Sequence, residues 1–264
     1  TGGKQIVCEN WRNLISVGAK PLAITNCLNF GNPENENVMG EFAECLEGIK
    51  EACEFLDYPV VSGNVSFYNG TNKKNINPTP VIGGVGLINK LSNPMGHSFK
   101  KDKSAIIVIG KTFGHLEQSC FLKENYSIVE GMPPEINLLN EKNNGENVLK
   151  LIQEKLILSS HDISNGGLLV ALSEMVFSSS FGIKILKPKK LSNLLGYFFG
   201  EDQGRYVLEI DNRNLQKVEK KLKNNNIYYE YIGNTQRDYF EIEGEMKIAV
   251  KDLCKSNNKW YNNY

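Results

Sequence analysis

The sequence predicts a mixed α/β protein, of the α/β or α+β class, built as two sandwich domains. Its 264 residues are enough for one large domain or for two of ordinary size. Apolar runs typical of buried strands alternate along the chain with segments whose apolar residues recur at helical spacing. A polar stretch over residues 89–103, which contains Pro94 and Gly96, separates two groups of such elements. We therefore predict one domain over 1–95 and a second over 96–264.

The first domain is predicted to alternate helices with strands. The spacing of apolar residues predicts an amphipathic helix over 4–17, which stops at Gly18, and a second helix over 38–56. Three strands are predicted around these helices, over 21–30, from Pro59 to Ser62, and over 79–88.

The second domain is predicted to open with a buried strand over 104–110. Its last segment, from Lys247 onward, is predicted to be helical, and the Asn- and Lys-rich stretches at 140–150 and 220–226 are typical of solvated loops. Four helices are predicted between these limits, at 117–124, 145–156, 166–179 and 213–224. Five further strands are predicted near 156–160, 182–187, 204–210, 227–233 and 238–243.

The composition argues against several classes of partner. Thirty basic residues balance thirty acidic ones, and this zero net charge argues against a nucleic-acid-binding surface. No apolar run approaches the ~20 residues that span a bilayer, so no membrane partner is expected. Six cysteines without a Cys-x-x-Cys pair disfavour zinc binding and favour a reducing, cytoplasmic location. The N-terminus has neither Met nor a signal-peptide pattern, so we expect a segment of a longer protein or a processed product.

Two polar motifs, each at the end of an apolar strand, are the strongest sign of a binding site. They cover residues 25–33 (TNCLNFGNP) and 62–66 (SGNVS). Gly63 has no Cβ atom, so another group can approach the main chain there. Asn64 offers a neutral oxygen that suits a hard cation such as Mg²⁺, and Ser66 offers a hydroxyl. The alternative is that both motifs are tight turns closed by Asx hydrogen bonds.

A third motif, over residues 159–167 (SSHDISNGG), connects a strand through a Gly-rich turn to an apolar helix. The first amides of a helix have no internal partner, so such a turn can bind an anion. Asp162 is a candidate ligand for a metal or for ribose hydroxyls, and His161 a candidate phosphate donor or a partner that orients Asp162. The alternative is that Asp162 and Asn165 cap the helix and that His161 is structural.

A fourth motif, over residues 199–205 (FGEDQGR), places two carboxylates beside an arginine. Glu201 and Asp202 are candidates for binding Mg²⁺ or a polar substrate. The alternative is an exposed acidic turn paired with Arg205. The segment 114–119 (GHLEQS) has a weaker pattern for phosphate binding, and a helix start is its default interpretation.

Taken in order, these motifs closely resemble those of the synthetase subunit of phosphoribosylformylglycinamidine synthase. The resemblance is spread over nearly all of the chain. It rests on residues 18–33, 61–69 and 78–83, on His161 to Ser164 with Gly166 and Gly167, and on Gly200 to Gln203.

The resemblance implies an aminoimidazole-ribonucleotide-synthetase-like architecture, with an N-terminal sheet domain followed by a C-terminal α/β sandwich domain. The family subunit holds two such pairs in tandem, and this sequence resembles the second pair, with an N-terminal sheet domain that is incomplete at its start. The chain ends soon after Trp260 and Tyr261 without a glutaminase domain, which implies the short, multi-subunit form of the enzyme.

The implied function is part of an ATP-dependent carbon–nitrogen ligase of de novo purine biosynthesis. ATP phosphorylates the amide oxygen of formylglycinamide ribonucleotide, and ammonia derived from glutamine displaces phosphate to give formylglycinamidine ribonucleotide. Mg²⁺ helps to spread the phosphoryl charge. The implied partners are the first half of the same subunit, a glutaminase subunit and a small accessory subunit.

Carried over residue by residue, the resemblance assigns nucleotide contacts to Asn26 and Gly63, Mg²⁺ binding to Asn64 and a substrate contact to Ser66. Asn26 stands where the family usually has Asp, so it keeps the shape but loses the negative charge. Glu117 stands where the family usually has Gly, which weakens the case for a phosphate cradle there. An auxiliary nucleotide or metal is implied near four further residues, His161, Asp162, Glu201 and Asp202.

None of the three histidines matches the family's catalytic position, so no catalytic residue is assigned and the segment alone is predicted to be inactive. Two alternatives stay open. In one, the chain is a structural half that binds an auxiliary nucleotide and pairs with the first half. In the other, it belongs to another synthetase of the same superfamily.

Overall fold

The fold contains a three-stranded sheet, a seven-stranded sheet and a short two-stranded hairpin, joined by helices, which confirms the predicted mixed α/β class. Part of the predicted boundary segment, residues 90–93, lies outside the described residues, as does Trp260. The domain limits at 95 and 96 therefore stay a prediction. The computed structural model describes residues 1–72, 74–89, 94–188, 193–259 and 261.

The first sheet has the strand order β2-β1-β5, with β1 parallel to β2 and antiparallel to β5. Helix α2 makes the crossover between the two parallel strands. The elements of this part are α1 (Gly2–Ser16), β1 (Lys20–Asn29), α2 (Glu36–Leu56), β2 (Val60–Ser66), β3 (Gly70–Thr71), β4 (Lys74–Asn75) and β5 (Thr79–Leu87).

Helices α1 and α2 cover one face of this sheet. Side chains alternate between the two faces of a strand, and on β1 Ile24 and Leu28 point into the apolar core beneath the helices. On β5, the residues Val81, Val85 and Leu87 alternate with partly buried neighbours and remain exposed. The other face of the sheet is therefore open in this chain.

The second sheet has the strand order β12-β11-β8-β10-β6-β9-β7, and its strands β6 and β9 are buried on both faces. One face shares its apolar core with α1, α4 and α7, and the other packs against α5. Its elements are β6 (Ala105–Ile109), α3 (Cys120–Tyr126), α4 (Leu138–Gln153), β7 (Ser159–Ile163), α5 (Gly167–Phe177), β8 (Gly182–Ile185), α6 (Leu194–Phe199), β9 (Arg205–Ile210), α7 (Asn212–Asn224), β10 (Tyr229–Gln236), β11 (Tyr239–Ile242), β12 (Met246–Ala249) and α8 (Val250–Asn258).

Several predicted boundaries were wrong. Helix α4 begins at Leu138 and not at 145, because Asn137 accepts a hydrogen bond from the amide of Asn140 and caps a first turn within a stretch predicted as loop. The predicted C-terminal helix is preceded by strand β12, which pairs with β11. Strand β7 starts three residues later than expected, at Ser159. Helix α6 and the β3–β4 hairpin were not predicted, since both are short and their sequences carry little periodicity.

The described part of the chain contains no helix with the length and apolar character needed to cross a membrane. All six cysteines carry free thiols, and Cys8 and Cys53 are buried in helices as small core residues.

Candidate functional site

The two polar strand-end motifs meet at one edge of the first sheet. In the parallel β1–β2 register, Asn26 lies opposite Gly63, and Asn29 lies opposite Ser66. The side-chain amide of Asn29 donates to the carbonyl oxygen of Thr79 at 3.2 Å, so the start of β5 joins the same edge. The structure therefore brings together the residues that the resemblance assigns to nucleotide, metal and substrate.

These residues divide between the two faces of the sheet. Asn26 lies two residues from both Ile24 and Leu28, which are buried, so its side chain is on the same, helix-covered face of the sheet. Gly63, its partner on β2, lies on that face too. Asn64 and Ser66 follow the opposite phase of the pleat and lie on the open face. A ligand that contacts both pairs must therefore lie at the strand ends, where the two faces meet.

Gly63 is required by its neighbour on β1. A Cβ atom at position 63 would overlap the side-chain amide oxygen of Asn26. The group that approaches the main chain at Gly63 is therefore the Asn26 side chain, which lies across it. This contact links the two predicted nucleotide-binding residues directly.

The Asx-turn alternative holds for part of the first motif. The side-chain oxygen of Asn32 accepts a hydrogen bond from the amide of Glu34 at 2.9 Å, and Asn35 caps α2 by accepting from the amide of Asn37 at 3.0 Å. The second motif is different, because residues 62–66 are extended strand and not a turn.

The three polar motifs of the second domain also converge, through two buried carboxylates. Glu201 accepts hydrogen bonds from the amides of Gly166 at 2.7 Å and Cys120 at 2.8 Å. Gly166 is the N-terminal cap of α5, so this carboxylate lies where the motif was predicted to bind an anion. Neither Asp162 nor Asn165 caps α5 with its side chain, so the capping alternative for those two residues was wrong.

Asp202 holds a second loop in the same way. Its carboxylate accepts hydrogen bonds from the amides of Phe113 at 2.9 Å, Gly114 at 2.8 Å and His115 at 3.3 Å. The loop ends at Ser119, whose hydroxyl caps α3, in agreement with the helix-start interpretation of this segment. A cleft of about 1020 Å³ opens beside Asp202.

Arg205 does not pair with either carboxylate by a hydrogen bond. Its guanidinium donates to the carbonyl oxygens of Asp202 at 2.9 Å and Gly200 at 2.6 Å, and to the hydroxyl of Thr112 at 3.1 Å. Burial of this side chain lowers its pKa to about 10. The predicted exposed acidic turn is therefore wrong, since Glu201, Asp202 and Arg205 are all buried.

His161 lies between two carboxylates on β7 and α5. Its ring nitrogens lie 3.4 Å from Asp162 Oδ1 and 3.1 Å from Glu174 Oε2. Burial of the ring lowers its pKa, but the hydrogen bonds and charges of Asp162 and Glu174 outweigh this effect and raise the pKa of His161 to about 9. The ring of His97 packs edge-on against it at 5.4 Å.

We expect this ion pairing to make stability depend on pH. The folded-state pKa of His161, about 9, lies above the ordinary value of 6.5, so its stabilisation is complete below pH 6.5 and is lost as pH rises through 9. As the pH is raised from 6.5 to above 9, the urea concentration at the midpoint of unfolding should therefore decrease in the wild type and decrease less in His161→Gln. Equal slopes for the two proteins would contradict the assignment.

A buried polar cluster that was not predicted from the sequence joins α1 to the second domain. Arg12 donates to the carboxylate of Glu141 at 2.8 Å and to the side-chain oxygen of Gln203 at 2.9 Å. The one available signal was the position of Arg12 at helical spacing from the core residues Cys8 and Ile15. Through Gln203, this cluster reaches the loop that carries both carboxylates.

Within the described ranges, no group of three or more His, Cys, Asp or Glu side chains is arranged to hold a metal ion. The metal assignment therefore depends on Asn64 as a single neutral ligand. The auxiliary-site assignment to His161, Asp162, Glu201 and Asp202 stays a prediction, and each of these side chains already has a protein partner.

Two family models match the chain in sequence. Residues 1–88 match the N-terminal domain of AIR synthase related protein, and residues 103–243 match the C-terminal domain of the same family.

Individual relatives and solved structures agree with this match. A phosphoribosylformylglycinamidine synthase subunit PurL of Pelagibacter ubique is 52% identical over 264 residues, which are all of this chain and 36% of that protein. T. maritima PurL complexed with FGAR has a TM-score of 0.76 at 16% identity, covering 96% of this chain and 42% of that one. T. maritima PurL complexed with ATP has a TM-score of 0.71 at 16% identity, covering 96% and 41%.

The chain thus spans little more than a third of the length of the curated relatives that it matches. Together, the two matched ranges, 1–88 and 103–243, contain most of the residues of the chain. The resemblance inferred from the polar motifs is confirmed, and the chain belongs to the family of AIR synthase related proteins.

Proposed function

We propose that this chain is the part of a phosphoribosylformylglycinamidine synthase subunit that supplies contacts to ATP, Mg²⁺ and formylglycinamide ribonucleotide. The observation that carries the proposal is the meeting of Asn26 and Gly63 with Asn64 and Ser66 at the strand ends of one sheet. PurL of T. maritima, which has the same fold, is described in complexes with ATP and with FGAR. The reaction is an ATP-dependent ligation, with ammonia delivered by a glutaminase subunit and a small accessory subunit.

The residues present fit Mg²⁺ only as part of a larger ligand set. Mg²⁺ is usually bound by one or two carboxylates together with phosphate oxygens and water. Asn64 offers one neutral oxygen on the open face, and its neighbour Asn26 lacks the charge of the family's Asp. The ion, when bound, would neutralise charge on the transferred phosphoryl group. Asn64 would orient it beside the strand ends, with the remaining ligands supplied by ATP and by other parts of the subunit.

The first half of the same subunit is proposed to cover the open face of the first sheet. Exposed apolar patches mark interaction surfaces, and Val81 and Val85, which pair with Cys27 and Ala23 on the open face, are 52% and 55% exposed. The chain spans about a third of the relatives' length, so most of the subunit remains available to cover this face. Leu22, Val61 and Leu87 are further exposed apolar residues of the sheet, whereas Val60 and Val65 are exposed at the edge strand but pair with Ile24 and Leu28 of the helix-covered face.

The proposal is tested by Ser66→Ala in a full-length subunit that contains this chain. Loss of one substrate hydrogen bond costs about 1.4 kcal/mol, so we expect KM for formylglycinamide ribonucleotide to rise about tenfold while KM for ATP changes little. Asn64→Ala should instead raise the Mg²⁺ concentration needed for half-maximal ADP release.

Ser62→Ala is the matched control, because Ser62 lies on the same strand and on the same face but away from the strand end. It should leave all three constants unchanged. Wild-type constants in Ser66→Ala and Asn64→Ala would reject the proposed site.

The auxiliary nucleotide is a second candidate function, proposed for the cleft beside Asp202. Of the four residues that the resemblance implies, His161, Asp162, Glu201 and Asp202, only Asp202 lines this cleft. Lys111 and Tyr228 line this cleft, so it offers a cation for phosphate and a ring for a base. Nucleotide released on denaturing the purified subunit measures occupancy. Unchanged nucleotide content in Lys111→Ala, with the fold intact, would count against binding there.

A further inference from the structure

Ser66 shares its local hydrogen bonds with Asn69, a half-buried residue in the loop that follows β2. The side-chain nitrogen of Asn69 lies 3.0 Å from the carbonyl oxygens of both Phe30 and Ser66. The Ser66 hydroxyl lies 3.3 Å from the Asn69 side-chain oxygen and 3.1 Å from its nitrogen. One side chain therefore contacts the ends of both strand motifs and the hydroxyl assigned to substrate.

The two amide hydrogens of Asn69 are matched by the two carbonyl oxygens at 3.0 Å. The hydroxyl hydrogen of Ser66 then has the Asn69 side-chain oxygen as its acceptor. This arrangement fixes the rotation of the hydroxyl. The Asn69 nitrogen, 3.1 Å from Ser66 Oγ, can use one of the two lone pairs, and the other stays available to accept from a ligand N–H or O–H group.

The same loop contains a residue in an unfavourable backbone conformation. Tyr68, between Ser66 and Asn69, has φ of 59°, in the left-handed region that bulky residues rarely adopt. Such a conformation persists only where surrounding contacts impose it. Two backbone hydrogen bonds supply these contacts. The amide of Tyr68 donates to the carbonyl oxygen of Gly31 at 2.9 Å, and the backbone amide of Asn69 donates to the carbonyl oxygen of Phe30 at 3.2 Å.

We propose that Asn69 is a positioning residue that orients the Ser66 hydroxyl for substrate. The inference rests on the proposed function, since it requires that Ser66 contact formylglycinamide ribonucleotide. Asn69 itself need not touch substrate, because its amide is already used by Ser66 and Phe30.

The test is a double-mutant cycle in the full-length subunit, with KM for formylglycinamide ribonucleotide and for ATP as readouts. Asn69→Ala is expected to raise the first KM about five- to tenfold and to change the second less than about twofold. In a Ser66→Ala background, Asn69→Ala should add no further rise, because both changes remove the same contact. Asn69→Leu, which keeps a similar size but removes both the acceptor for the Ser66 hydroxyl and the N–H donors, should behave like Asn69→Ala and serves if the alanine variant does not fold.

Asn75→Ala is the matched control. Asn75 also ties this loop together, by accepting from the amide of Asn32 at 3.1 Å, but it makes no hydrogen bond to Ser66. Equal effects of Asn75→Ala and Asn69→Ala, or independent effects of Asn69→Ala and Ser66→Ala, would overturn the inference and leave Asn69 a general loop residue. If Ser66→Ala raises KM and Asn69→Ala does not, the inference alone fails. If Ser66→Ala leaves KM unchanged, the proposed substrate contact fails and the inference fails with it.

Discussion

Gly63→Ala is expected to reduce kcat/KM of the full-length subunit about a hundredfold while leaving the fold in place. The added Cβ atom would overlap the side-chain oxygen of Asn26, so either that side chain must leave or strand β2 must move. Both outcomes displace residues proposed to bind nucleotide, and a displacement of about 1 Å at a reacting centre can cost 10²-fold in rate. β2 is an edge strand, so it can shift without unfolding the sheet.

Steady-state ADP release and the urea midpoint measure the two effects separately. Gly83→Ala on β5 is the matched control, because its Cβ would meet only the Thr25 side chain, at 3.1 Å, and the Thr25 carbonyl oxygen, at 4.0 Å. In an Asn26→Ala background, Gly63→Ala should cost little more, since the overlapping atoms are gone. Wild-type activity in Gly63→Ala, or an undiminished cost in that background, would contradict the proposed link between Asn26 and Gly63.

Arg12→Ala is expected to destabilise the chain by about 3–5 kcal/mol, because it leaves the Glu141 carboxylate buried without its partner. The Arg12 and Glu141 side chains are 0% and 1% exposed, and Glu141 lies 129 residues away in the second domain. Typical domains are stable by about 5–15 kcal/mol, so this loss is a large share of the total. The free energy of unfolding in urea is the measurement.

A surface ion pair in the same helix provides the control for Arg12→Ala. Lys4 and Glu51 also join two helices, but their side chains are 21% and 58% exposed, so Lys4→Ala should cost less than about 1 kcal/mol. Replacing Arg12 by Met and Glu141 by Leu together should recover most of the loss, since no charge is then left unpaired. Equal costs for Arg12→Ala and Lys4→Ala would show that the buried pair does not join the domains.

The strands that carry the site could be predicted from sequence because their signals are local. The apolar runs before the two motifs predict strands without knowledge of the rest of the fold, although β1 continues through Asn26 to Asn29 and β2 through Gly63 to Ser66. Parallel pairing then brings both ends to one edge of the sheet. The division of Asn64 from Asn26 between two faces required the register, which the sequence does not specify.

The roles of the buried carboxylates could not be predicted, because their partners are distant backbone groups. Asp202 binds amides 87 to 89 residues away, and Glu201 binds amides 35 and 81 residues away. A sequence motif shows that a carboxylate is present but not which amides surround it. The polar first turn of α4 was predicted as loop for a similar reason, since Glu141 is buried only because Arg12 lies opposite it.

The central claim, that this chain supplies only part of a shared ligase site, is tested most directly by measuring ADP release from separated parts. ATP, Mg²⁺, formylglycinamide ribonucleotide and ammonium chloride would be supplied to this chain, to the remaining part of the subunit, and to both together. We predict substrate-dependent ADP release only when both parts are present, and none from this chain alone. Full release by either part without the other would contradict a site that requires residues of this chain and of its partner.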